Sequence, residues 1–67
     1  MFFAYILKSL SDGKYYYGST ENLELRLKKH NSGKVRSTKT RIPFVIHYSE
    51  AFKTRKEAFQ REQFLRQ

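Results

Sequence analysis

Residues 2–9, FFAYILKS, constrain this chain more than any other stretch. An extended segment alternates its side chains between two faces, so Phe3, Tyr5 and Leu7 share one side and Phe2, Ala4 and Ile6 the other. Both sets are largely apolar. A strand greasy on both faces belongs in the middle of a sheet, with something packed on each side. Leu10-Ser11-Asp12-Gly13 follows, with Asp-Gly as turn punctuation, and KYYYGS, 14–19, reads as the returning strand. A four-residue loop, 10–13, pairs Ser9 with Lys14, Leu7 with Tyr16 and Tyr5 with Gly18. Tyr5 and Tyr16 are then diagonal neighbours on one face. A two-residue Asp-Gly turn keeps them on one face but further apart, and a three-residue bulged loop puts them on opposite faces. We expect the four-residue loop.

Downstream the pattern changes period. Thr20, or Ser19, reads as the cap of a first helix, with Glu21 and Glu24 early, where carboxylates favour the positive end of the dipole. Leu23 and Leu27 form the inward stripe, Leu25 lies on a flank, and Asn31-Ser32-Gly33 ends the helix. KVRSTKTRI, 34–42, is a basic, polar loop without strong periodicity. Pro43 leads into a third strand, FVIHYSE, 44–50, in which His47 reads as structural. Thr54-Arg55-Lys56-Glu57 is a capping box opening a second helix that runs to the C-terminus. The expected order is β-β-α-β-α over one domain, 1–67: an α+β fold with a three-stranded antiparallel sheet flanked by helices.

Sixty-seven residues bury only about 60% of the unfolded surface, so the core is expected to be thin. There is no cysteine, which excludes disulfides and thiolate metal sites as staples. Eleven aromatics are the available substitute. No apolar run approaches the length of a membrane span. The N-terminus enters a strand pattern at once, without the basic-then-apolar profile of a signal peptide, so a cytoplasmic location is expected.

Charge says more. Fourteen Lys and Arg against six acids give +8. Between Glu24 and Glu50 stand seven cations (Arg26, Lys28, Lys29, Lys34, Arg36, Lys39, Arg41) and no carboxylate. A lone charge run is usually a solvated face, but an acid-free third of a small domain matches a polyanion, and nucleic acid is the foremost one. An acidic membrane surface fits less well, because no basic amphipathic helix with exposed large apolar residues stands out.

Five residues invite chemistry, and each also has a plain structural reading. Glu62 falls with Ala58 and Leu65 on the apolar stripe of the last helix, where an acid is expensive unless paired or on a metal. Its plain reading is a boundary residue paired with Arg61, Arg66 or the basic loop. Arg26 and His30 sit four apart on one helix face, and their plain reading is a solvent-facing pair, His30 being favourable near the helix C-terminus. Tyr5 and Tyr16 read plainly as strand-loving core aromatics.

Taken together, these residues resemble the GIY-YIG nuclease domain, the fold of the UvrC N-terminal nuclease and of many small stand-alone bacterial proteins. The two half-motifs stand here as Phe3-Ala4-Tyr5 and Tyr16-Tyr17-Gly18. Neither is literal, but Tyr5, Tyr16 and Gly18 occupy the invariant-type positions. The tyrosines are eleven apart, Arg26 follows ten after Tyr16, and His30 four after that. GSTENLELRLKKHNSGK is similar to the short stand-alone members, and REQFL resembles the helix carrying the family's metal-binding glutamate, here Glu62.

The resemblance implies a metal-dependent endonuclease that hydrolyses phosphodiester bonds, structure-selective and linked to DNA repair or recombination. A single Mg²⁺ (or Mn²⁺) would sit on Glu62, which suits an ion that keeps much of its hydration. Arg26 would clamp the scissile phosphate with its rigid fork. Tyr5 would be the general base, as a phenolate favoured by surrounding cations, and Tyr16 would position water or phosphate, with the two roles exchangeable. His30 would assist proton transfer or phosphate contact. Lys28, Lys29, Lys34, Arg36, Lys39 and Arg41 are the expected nucleic-acid contacts, DNA ahead of RNA, in a monomer or weak dimer. Family members often continue further and add a polar residue, commonly Asn, near the metal; this chain has no equivalent through Gln67. Two rivals stand beside the nuclease: a non-catalytic nucleic-acid-binding module on the same fold, and a small assembly domain with an exposed apolar face. The nuclease alone requires the five residues on one side of the sheet around one cleft.

Overall fold

The computed structural model describes residues 1–67 and contains strand β1 (Phe2–Ser9), β2 (Tyr15–Thr20), helix α1 (Leu23–Asn31), a single 3-10 turn (Lys39–Arg41), β3 (Phe44–Phe52) and α2 (Arg55–Arg66). The sheet is antiparallel in the order β2-β1-β3, with the doubly apolar strand at its centre. The hairpin takes the expected register: Leu7 faces Tyr16 and Tyr5 faces Gly18. Ser9 closes the loop, its amide donating to the Lys14 carbonyl at 2.9 Å and its hydroxyl accepting from the Ser11 and Asp12 amides. Gly13 turns the chain at φ +72°, a conformation that L side chains rarely adopt.

The two faces of β1 are covered by different helices. Tyr5, Leu7 and Phe44 form the core, and Leu23 and Leu27 of α1 pack on it. On the other face, Arg55 of α2 lies 5.0 Å from the Phe2 ring centre. Arg61 pairs at 3.5 Å with Glu50, the β3 partner of Ala4. Ala4 and Ala58, both fully buried, leave room for α2 to lie close to the sheet. Arg66, in the last turn of α2, donates to the Tyr17 carbonyl, so the helix ends beside edge strand β2.

The first helix is capped differently from expectation. Thr20 is still in the ladder opposite Phe3, so the chain leaves the sheet one step later and Asn22 becomes the cap. Its Oδ1 accepts from the Leu25 amide at 3.0 Å. Glu21 therefore lies ahead of the helix, 3.5 Å from Arg55. Thr54 caps α2 as its capping box predicts, accepting from the Glu57 amide at 3.2 Å. No helix is long and apolar enough to cross a membrane.

Only ten of 67 residues are buried, and four of them (Ser9, His30, Thr38, Glu62) are polar or ionisable. In so thin an interior each buried polar group needs a partner. Ser9 is satisfied by the turn and by the Arg41 carbonyl. The other three belong to the candidate site or lean against it.

Candidate active site

Gly18 opens the site. The Tyr5 ring lies across it, where any side chain would collide with the phenol. The Tyr5 hydroxyl thus reaches toward the β2 side of the sheet, where α1 brings Arg26. Arg26 Nε donates to Tyr5 Oη at 3.4 Å, a long bond. Tyr16 lies near enough for its phenol and the guanidinium to influence each other electrostatically. One partly buried cation is therefore bonded to the first motif phenol and near the second. Beside it an open cleft of about 670 Å³ is lined by Arg26 and Lys29, by the acid Glu21, by Thr20 and Asn22, and by the apolar Met1 and Leu25.

Burial decides the charge of Tyr5. Desolvation pushes its pKa up, the hydrogen bond and charge of Arg26 push it down, and the charges of Tyr16 and Glu62 push it up again; the net shift is upward. The expected phenolate is therefore corrected: at neutral pH Tyr5 is a phenol, because withdrawal from water outweighs one adjacent guanidinium.

His30 also differs from a solvent-facing residue. It is fully buried, its ring 4.9 Å from Tyr16 and 5.8 Å from Phe44, both edge-on. Nδ1 lies 2.8 Å from Thr38 Oγ1, and Nε2 has no partner. Burial lowers its pKa, and the Arg26 and Lys29 charges lower it further, so the imidazole is neutral. A neutral, enclosed ring touches Tyr16 and has no route to a phosphate.

Glu62 is 6% exposed. Arg66, one helical turn on, pairs with its Oε2, as does Gln63 Nε2 at 3.3 Å. Of the partners that its plain reading offers, the carboxylate takes Arg66. Oε1 receives no hydrogen bond from the protein and is not among the sealed polar atoms. The carboxylate can thus accept a cation on one oxygen. It stands alone: no three His, Cys, Asp or Glu side chains gather anywhere in the fold. A hydrated divalent ion held by one protein carboxylate fits this donor set; a fully protein-ligated ion does not.

The basic residues separate into groups. Lys29 lines the Arg26 cleft, and Lys28 lies on the flank with Glu24 and Leu25. Lys34 lies beyond them, near Lys29 and Ser32. Arg36 and Lys39 are exposed on the loop to β3. Arg41, expected on nucleic acid, is otherwise engaged. Its Nε donates to Asp12 Oδ2 at 2.8 Å, and its guanidinium lies 5.4 Å from the Phe44 ring centre. It also reaches the Tyr15 carbonyl. That cation fastens the loop to the β1–β2 turn and holds the Asp12 carboxyl at about 2.

Tyr5, Tyr16, Arg26 and His30 are thus one cluster; Glu62 stands outside it on α2, the helix over the other face of β1, and only its charge bears on Tyr5. Thr38 belongs with them through His30. It sits in a stretch without periodicity, and no sequence signal singled it out. The family model for the GIY-YIG catalytic domain matches residues 1–67, the whole chain. The chain belongs to the GIY-YIG family. Within it, this domain is 46% identical over 63 residues to a UPF0213 protein of Bacillus licheniformis, an alignment covering 92% of this chain and 64% of that protein. A UPF0213 protein of Staphylococcus haemolyticus is 44% identical over 61 residues, covering 90% and 73%. One from Streptococcus agalactiae is 39% identical over 66 residues, covering 97% and 74%. The chain spans about three fifths of the length of the first two curated relatives it matches. No solved structure matches it. The GIY-YIG family is one of nucleases, which generally use divalent metal ions.

Proposed function

We propose that this GIY-YIG domain is a metal-dependent endonuclease that hydrolyses phosphodiester bonds in DNA, selecting substrate by structure in a repair or recombination setting. The observation that carries the reading is Arg26 hydrogen-bonded to Tyr5, with Tyr16 and His30 packed beside them. A divalent ion on Glu62 would supply charge at the scissile phosphate and its leaving oxygen.

The chain's own residues supply the rest. Arg26 presents a fork to the phosphate, which is more directional than a lysine's point charge. Tyr5 orients the attacking water at its hydroxyl. To serve as base it first yields its own proton to solvent, a loss that Arg26 favours by stabilising the phenolate and that burial opposes. Tyr16 holds the phosphate or water. His30, being buried, supports Tyr16 and does not touch substrate. Lys29 extends the positive surface from Arg26, and Lys28, Lys34, Arg36 and Lys39 continue it over exposed ground. Contacts of that kind position phosphates and carry no base sequence, which fits a substrate chosen by shape.

The test is cleavage of labelled branched, nicked and single-stranded DNAs with Mg²⁺ or Mn²⁺, wild type beside Glu62→Gln. Cuts by the wild type that vanish in the variant, with DNA affinity kept or slightly raised, establish the nuclease. Salt-sensitive binding without cleavage by either protein would make the domain a binding module.

A further inference from the structure

Thr38 is 1% exposed in the middle of the loop that carries Lys34, Arg36 and Lys39. Its backbone is tied on both sides. Its amide donates to the Val35 carbonyl at 3.0 Å, and its carbonyl accepts from the Arg41 amide at 2.9 Å. The side chain is thereby aimed inward, and its hydroxyl meets His30 Nδ1 at 2.8 Å.

This contact can be made in two ways. In one, Nδ1 carries the proton and donates to Oγ1, whose own hydrogen goes to the Val35 carbonyl, 3.4 Å away. Nε2 is then a bare lone pair. In the other, the hydroxyl donates to Nδ1 and the proton sits on Nε2, where it has no acceptor. A buried N–H without a partner forfeits its whole desolvation cost and is rare in folded proteins, whereas an unmatched acceptor is better tolerated. The first arrangement also makes two hydrogen bonds at Oγ1, where the second makes only one.

We propose that Thr38 is a positioning residue: its hydroxyl accepts from His30 Nδ1–H, fixes that tautomer, and through the imidazole ring sets the placement of Tyr16. The ring packs edge-on against Tyr16 at 4.9 Å, so a His30 ring that turned or changed tautomer would move the phenol it supports. The same bond ties the basic loop to the site, since Thr38 lies within two residues of Arg36 and one of Lys39. This inference rests on the nuclease reading only for its effect on turnover; the tautomer and the Tyr16 placement stand apart from it.

Long-range proton–nitrogen correlation spectra of the labelled imidazole, with Tyr16 ring shifts, test it on the whole chain as wild type, Thr38→Ser and Thr38→Val. The expected result is a single neutral tautomer, protonated at Nδ1, in wild type and Thr38→Ser. Thr38→Val, which keeps the shape but removes the hydroxyl, is expected to lose that preference and shift the Tyr16 ring signals. Its kcat should fall about tenfold, the scale of one hydrogen bond, with KM little changed and activity restored in Thr38→Ser. A proton on Nε2 in the wild type overturns the proposal, as does a Thr38→Val protein with wild-type tautomer and Tyr16 shifts. If Thr38→Val does not fold, the wild-type and serine spectra still decide. A wild type that cleaves nothing counts against the nuclease reading alone, because both spectroscopic arms remain readable.

Discussion

The phenol of Tyr5 lies across Gly18, so that a Cβ built on the glycine would stand 2.6 Å from Tyr5 Cζ and closer still to the hydroxyl. Glycine is required here for space: Gly18 lies in a regular strand, and only the cross-strand neighbour forbids a side chain. Gly18→Ala should cost about 1–3 kcal/mol, the usual range for overpacking a core. It should also push the Tyr5 hydroxyl off Arg26 and reduce cleavage. Urea denaturation reads the first effect; wild-type stability in this variant would mean that the ring yields freely.

Burial raises the Tyr5 pKa, and the sign of its linkage follows. The folded state holds the phenolic proton more tightly than the unfolded chain, whose tyrosines titrate near 10. The stability this contributes is complete below about pH 10 and is lost as pH rises through the higher folded value. Tyr5→Phe keeps the ring, loses the hydroxyl, and should flatten the alkaline limb of the stability curve while abolishing cleavage. Denaturation midpoints across the alkaline range check this, and parallel curves for the two proteins would contradict the burial argument.

Arg66 and a divalent ion compete for one carboxylate, since the guanidinium already pairs with Glu62 Oε2. Arg66→Gln should therefore bind Mn²⁺ more tightly, and Glu62→Gln should barely bind it. A ligand that binds only the folded state raises its melting temperature. The Mn²⁺-dependent rise should thus be largest in Arg66→Gln, intermediate in wild type and absent in Glu62→Gln. Equal rises in all three would place the ion elsewhere.

The basic residues divide into free and engaged cations, and salt dependence separates them. Neutralising Lys34, Arg36 and Lys39 together should reduce the log–log salt slope of duplex binding by up to about 3, near 0.9 for each phosphate that a cation no longer neutralises. Arg41→Gln should leave the slope unchanged and lower the melting temperature, because Arg41 already serves Asp12 and the Phe44 ring. A flatter slope for Arg41→Gln would return it to the nucleic-acid surface.

Much of the fold was legible in the residues because local rules decide it. The doubly apolar run Phe2–Ser9 had to be central. The Asp12-Gly13 turn set a register that put Tyr5 opposite Gly18, and the Thr54–Glu57 capping box marked the start of α2. The cap of α1 was not legible, because Thr20 and Asn22 are both good caps. The choice fell to a cross-strand pairing of Thr20 with Phe3, seventeen residues away in sequence.

At the site the sequence by itself determined which side chains were on offer: two tyrosines on one strand face, Arg26 and His30 one helical turn apart, and a carboxylate on an apolar stripe. Tertiary structure alone decided their states. Tyr5 holds its proton more tightly than a free tyrosine because the sheet removes it from water, and His30 is neutral because burial and the Arg26 and Lys29 charges disfavour its cation. Arg41 leaves the basic surface because Asp12, 29 residues earlier, lies beside it. Spacing along a chain fixes which groups can share a face. Desolvation and long-range pairing, which set charge and availability, depend on neighbours that only folding brings near.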